Sequence, residues 1–244
     1  MKKKILLAFF VCSLPATTLA APIGDIGITS VSAYYSSGSW DWYSGYDISF
    51  QNQNLIIDID IQLNGVDPGD ALRDTWKQGI ESKWGNPFDI SDGTFIYDLD
   101  FNVNWTNISP DHIVNVNNGG GYFSVYDWDI SVSPSLQPTL AAHEAGHMFG
   151  LWDEYIGGPV DPVNPVIRDD SLMGIYLTKT HPDHYTNFTD WLASESGKSI
   201  TVVPNLGDHY YDISAVPEPS AYLMFGSGLI GLGLMGWRRR STKS

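Results

Sequence analysis

Residues 143–155 read His-Glu-Ala-Gly-His-Met-Phe-Gly-Leu-Trp-Asp-Glu-Tyr. On a helix of 100° per residue His143 and His147 fall about 40° apart and Glu144 about 100° from His143, so the three polar groups share one arc. The rest of the turn from Leu140 to Phe149 is Leu, Ala, Gly, Met and Phe, which predicts a buried helix. Buried ionisable groups need partners. A divalent ion supplies one: imidazoles at i and i+4 direct nitrogens to a single cation, and the adjacent carboxylate can accept a proton from a water that the cation acidifies. Gly150 is placed to end the helix with a left-handed residue, after which the chain can return Asp153 to the same ion. Glu154, His181 and His184 are alternative third ligands, and Glu195 is a fourth on a different family pattern.

Twenty residues after Asp153, Met173 within Ser171-Leu172-Met173-Gly174 is a methionine in a turn-like setting. With His143, Glu144, His147, Gly150 and Asp153 this resembles the metzincin metallopeptidases, in the aspartate variant found in small secreted bacterial neutral proteases. The resemblance implies Zn2+ held by His143, His147 and Asp153, Glu144 as general base, Met173 in the Met-turn, and an endopeptidase acting on protein or peptide substrates. It also implies an α+β fold with a mixed twisted sheet, an active-site helix, a cleft-lining edge strand and a small C-terminal lobe. The chain departs from some relatives in carrying Ile175 two residues after the methionine, with Tyr176 one later, so no catalytic role is assigned to Tyr176.

These groups need elements to hold them. Residues 55–63 alternate Ile57, Ile59, Ile61 and Leu63 with Asp58, Asp60 and Gln62, which predicts a half-buried strand. Asp67-Pro68-Gly69-Asp70 predicts a turn and N-cap for a helix with Leu72, Trp76, Ile80 and Trp84 on one stripe, stopped at Gly85-Asn86-Pro87. Phe95–Trp105 alternates apolar with Asp and Asn, 112–116 is a short strand, 117–121 a glycine turn and 126–132 another alternating strand. The acidic alternates read as solvated sheet surface and His112 as structural. Residues 157–170 predict a loop, 185–193 a helix, and the aromatic stretch within 25–46 is compatible with a prosegment, an edge strand, a sugar-contacting surface or simple packing.

The ends are addresses. Lys2 to Lys4 followed by an apolar run and small residues up to Ala20 predict a signal peptide over 1–20, too short to span a bilayer. The peptidase domain is expected over 21–203, a linker over 204–215, and over 216–244 a Pro-Glu-Pro stretch, an 18-residue apolar run (Ser220–Trp237) and Arg238 to Arg240. That tail resembles the PEP-CTERM sorting signal of Gram-negative bacteria, which implies an exosortase-type partner, membrane contact only through the tail, and export to the cell surface or medium. The single cysteine, Cys12, lies in the signal, so the mature chain has no disulfide. Between residues 21 and 215 there are 6 Lys and Arg against 27 Asp and Glu, a net charge near −21 that excludes nucleic acid as a natural partner. Calcium suits this composition, although no EF-hand or nonapeptide repeat places it. A second class of function fits the same features: a non-catalytic surface or biofilm-matrix binding protein with a structural or vestigial zinc site.

Overall fold

The structure is a computed structural model that describes residues 21–205 of the 244. The signal peptide expected over 1–20 and the C-terminal tail with its apolar run lie outside the described residues. No helix among the described residues is long and apolar enough to cross a membrane.

Strand β3 (Asn54–Gly65) is the spine of a nine-stranded mixed sheet. Its alternation puts Leu55, Ile57, Ile59 and Ile61 on a fully buried face, and β5 (Ile96–Trp105) runs parallel to it with Leu99, Phe101 and Val103 on the same side. The opposite face is polar and self-satisfied. Asn102 donates to Asp58 and Asn104 to Asp60, each at 3.0 Å, so these acids are cross-strand partners on a solvated face, as the alternation predicts.

The other edge of β3 is divided. Strand β2 (Trp40–Gln51) pairs antiparallel with its first half and β6 (His112–Asn117) parallel with its second half. β2 follows β1 (Ile26–Ser37) in a long hairpin, whose outer half therefore has no place in the sheet and continues past its edge. Tyr46, Ile48 and Phe50 of β2 are buried in the main core, so this hairpin is part of the fold. β7 (Phe123–Ser124) and β8 (Asp127–Asp129) complete that side. The expected strand over 126–132 is thus only three residues long. The Asp129 carboxylate takes the amides of Gly119, Gly121 and Ser131, which bends the chain away after Asp129.

Helix α1 (Asp70–Gly85) buries Trp76, Ile80 and Trp84 against the sheet. Its N-cap is Gly69, and Asp70 is the first helical residue rather than the cap; Asp67 instead closes the preceding turn by accepting the Gly69 amide at 2.9 Å. Helix α2 (Gln137–Met148) starts one turn before Leu140, with Pro138 in its first turn. It lies along α1, tied by Trp76 Nε1 to Gln137 Oε1 at 2.7 Å and by Trp84 Nε1 to the Ala142 carbonyl at 2.9 Å.

The segment after α2 packs into the same core as the sheet. Following a 3₁₀ turn over Pro182–Tyr185, α3 (Thr186–Ser196) places Phe188 and Leu192 in the same core as Phe101 and Phe149. Strand β9 (Thr201–Pro204) then pairs with β4 (Phe88–Ser91), which in turn pairs with β5. The last residue of β9, Pro204, is the first of the expected linker. The pattern of these four-residue strands was too short to register in the sequence.

Candidate metal centre

Helix α2 is apolar on nearly every side, and the structure buries His143, Glu144 and His147 within it. Phe149 and the residues beyond it close the helix: Gly150, at φ 91°, donates its amide to His147 and Leu151 donates to Gly146, both at 2.9 Å. This is a Schellman ending, and the left-handed residue it requires explains the glycine. A side chain at 150 would also collide with Tyr35 Oη. The reversal brings Asp153 back under the helix end. Its Oδ1 lies 3.2 Å from His143 Nε2 and 3.4 Å from His147 Nε2.

The protonation of both rings follows from their other nitrogen. His143 Nδ1 is 2.8 Å from the Leu172 carbonyl and His147 Nδ1 is 2.9 Å from the Leu151 carbonyl. A carbonyl only accepts, so each Nδ1 carries the proton and each Nε2 presents a lone pair. Those lone pairs face Asp153 Oδ1, a buried oxygen with no hydrogen-bond partner among the described residues. Three acceptors aimed at one point repel unless a cation or an extra proton lies between them. A tetrahedral ion with bonds of about 2.0–2.1 Å sets its ligand atoms about 3.3–3.4 Å apart, which is the spacing found. The donor set and its geometry therefore fit zinc.

With no cation between these acceptors, an extra proton takes that place. Burial lowers the proton affinity of His143, but Asp153, Glu144 and the Leu172 carbonyl outweigh it and lift the imidazole to about 9. Burial likewise raises the Asp153 carboxyl, and the two imidazoles reverse this and hold it well below the usual carboxylate range. Glu144 is pushed up, chiefly by burial and only partly opposed by the imidazoles. It lies beside the cluster, with one ligand atom from each of His143, Glu144 and His147 within 4.8 Å of one another.

Met173 sits beneath the helix. A side chain at Gly146 would strike its sulfur and the Trp84 ring, so α2 rests directly on this methionine. The same turn supplies the Leu172 carbonyl to His143, and the Met173 carbonyl accepts the Glu154 amide at 2.8 Å. The turn thus holds His143 through its side chain and Asp153 through its neighbour's backbone.

Of the alternative ligands, Glu154 and His184 pair with each other, while His181 Nε2 is buried without a hydrogen-bond partner among the described residues. Glu154 Oε1 is 3.2 Å from His184 Nε2 and 3.6 Å from Arg168, which also pairs with Asp183. His184 further contacts Ser171, and its Nδ1 accepts the His181 amide. These residues brace the segment after Asp153, and it is Asp153 that faces the two imidazoles. Glu195 is exposed on α3. Ile175 and Tyr176 are both exposed, so the Met-turn contributes no tyrosine to the cluster. His112 is buried with Nε2 2.9 Å from the Gly45 carbonyl, a structural placement.

Sequence reasoning did not single out the residues that surround the cluster. A cavity of about 220 Å³ opens over His143, Glu144, His147 and Asp153, walled by Trp40 to Trp42, by Phe123 to Tyr126, and by Tyr155 and Pro159. Trp42 Nε1 donates to the His147 carbonyl at 3.0 Å, and its ring meets the imidazole edge-on at 5.2 Å. Burial, with Asp153 nearby, keeps the Tyr155 phenol protonated by raising it far above its usual range. Alternation of Trp40 and Trp42 within an aromatic run was the available signal for the first wall; nothing marked Tyr155.

A family model described as the PEP-CTERM protein-sorting motif matches residues 215–240. The C-terminal tail is a PEP-CTERM sorting signal. It implies export, recognition by an exosortase-type sorting enzyme, and a surface or extracellular destination. No curated protein and no solved structure matches the chain.

Proposed function

We propose that the exported body is a zinc-dependent peptidase, with zinc held by His143, His147 and Asp153. The observation that carries this reading is the unpartnered Asp153 Oδ1 facing two imidazole lone pairs at the floor of a cavity. When bound, zinc polarises a carbonyl and acidifies water. The chain's own groups do the rest. Glu144, whose carboxyl burial has raised, takes the proton from water as the water oxygen bonds to the carbonyl carbon, and delivers it to the amine as the C–N bond breaks. Tyr155, neutral and at the cavity wall, is a hydrogen-bond donor for the carbonyl oxygen as charge develops on it. Trp42 and the Leu151 and Leu172 carbonyls hold the two imidazoles in place.

Three protein ligands and an adjoining cavity favour this over the structural-zinc reading, because structural sites close all four positions with protein. The test is metal content followed by hydrolysis. The purified protein should carry about one zinc and cleave peptides until a chelator is added. Glu144→Gln should retain the metal while turnover falls by about 10²–10⁴-fold. A metal-free protein, or a Glu144→Gln variant as active as the parent, overturns the proposal.

A further inference from the structure

The outer half of the β1–β2 hairpin leaves the sheet, and what it does next limits access to the cleft. The floor is α2, one wall is Phe123 to Tyr126, and another comes from Asp153, Tyr155 and Pro159. The hairpin tip is tied to both walls. Tyr43 donates its amide to Tyr126 Oη at 3.1 Å, and Ser37 Oγ donates to the Val160 carbonyl at 3.2 Å. A third tie joins it to the floor, from Trp42 Nε1 to the His147 carbonyl. Behind these, Tyr35 stacks on Trp42 at 5.3 Å, and both rings meet Trp152 edge-on. Tyr35 also touches Gly150 at the end of α2.

The tip therefore crosses from wall to wall at the C-terminal end of α2. We infer that this hairpin makes the cleft blind at that end, so that the protein acts on chain termini and short peptides rather than on internal segments of long chains. An extended chain passing through an active site needs an exit on both sides of the scissile bond. Here one side ends against Trp40, Trp42 and the rings packed behind them, within a cavity of about 220 Å³. The barrier is not a loose flap. Tyr46, Ile48 and Phe50 root β2 in the core, and ten paired positions of β1 and β2 stiffen the hairpin. Opening would require breaking the ties to Tyr126 and Val160 and parting the edge-on contact of Trp42 with Trp152.

This inference rests on the peptidase reading and narrows its substrate class, replacing the internal cleavage that the resemblance to endopeptidases implies. Its test uses the zinc-loaded full-length protein and two fluorogenic substrates: a short peptide, and the same residues embedded centrally in a long internally quenched peptide. The expected result is chelator-sensitive hydrolysis with kcat/KM for the short peptide about tenfold or more above that for the long one. Ser37→Ala combined with Tyr126→Phe, which releases both wall ties, should raise the long-to-short ratio by about tenfold. Ser37→Ala alone, which leaves the cavity lining intact, should shift it in the same direction. Equal cleavage of the two peptides by the parent overturns the blind cleft while leaving the peptidase reading standing. A parental preference that the loosened, folded variants do not relax assigns the restriction to something other than the hairpin and also overturns it. Hydrolysis of neither peptide by zinc-loaded protein overturns the peptidase reading, and this inference with it.

Discussion

Gly158→Ala tests the third ligand without altering any ligand. The Cβ of an alanine at 158 would lie 2.1 Å from Asp153 Oδ2 and 2.7 Å from its Cγ. Ordinary contact begins near 3.4 Å, so the carboxylate and the 158 backbone must separate by about 1.3 Å. Neither has free play. Asp153 is held by its amide on the Pro159 carbonyl at 3.0 Å, and the following Glu154 amide is fixed on Met173. Metal ligation tolerates errors of only about 0.2 Å, so a shift of this size removes Asp153 from the ion. Losing a partner that merely orients a ligand typically costs 10–100-fold in metal affinity, and displacing a ligand should reach at least the upper end, about 100-fold. The assay is competition for zinc against a chromogenic chelator, with circular dichroism to verify the fold and Gly27→Ala as a control, since a Cβ there meets nothing within 4 Å. Zinc affinity within about threefold of the parent, with an unchanged spectrum, would refute the assignment of Asp153 and restore Glu154 or His184 as candidates.

Tyr155→Phe removes a protonated hydroxyl from the cavity wall, and turnover should drop by roughly 100-fold with zinc content unchanged; a fully active variant removes Tyr155 from the mechanism. Stripping the metal should lower the melting temperature by roughly 10 °C, because saturation about a thousandfold above Kd stabilises by about 4 kcal/mol and each kcal/mol shifts a domain of this size by about 2–4 °C. An unchanged melting curve after verified zinc removal would contradict a cation-dependent cluster. His112 gives a pH dependence. Burial lowers it from 6.5 to about 4, so as pH falls the unfolded chain binds this proton first. Stability is therefore complete above about pH 6.5 and is lost toward pH 4, by about 3 kcal/mol over the whole window. Denaturant titrations at pH 7 and pH 4.5 should show a drop that His112→Gln lacks; equal drops in both proteins would place the titration elsewhere.

Reading residues in order found the elements that carry long periodic patterns. The stripe of Trp76, Ile80 and Trp84 and the alternation along β3 and β5 each bury one face against water, a requirement that composition alone enforces. Spacing also fixed the local part of the centre: i and i+4 on a helix must put His143 and His147 on one side, and Gly150 must end it, because these are properties of a single helix.

Asp153, Glu154 and His184 could not be ranked that way. Their distances to the helix depend on a loop whose course is set by Met173, Pro159, Arg168 and Ser171, contacts that span the C-terminal part of the domain. The hairpin over the cleft was equally illegible. Residues 40–43 read as an aromatic run with several roles open to it, and only the division of the β3 edge between β2 and β6 sends that run across α2. Local periodicity thus determined which side chains had to be buried and which two imidazoles had to converge. The position of Asp153 beside them and the course of the hairpin were decided by packing between distant segments, where no local spacing constrains the outcome.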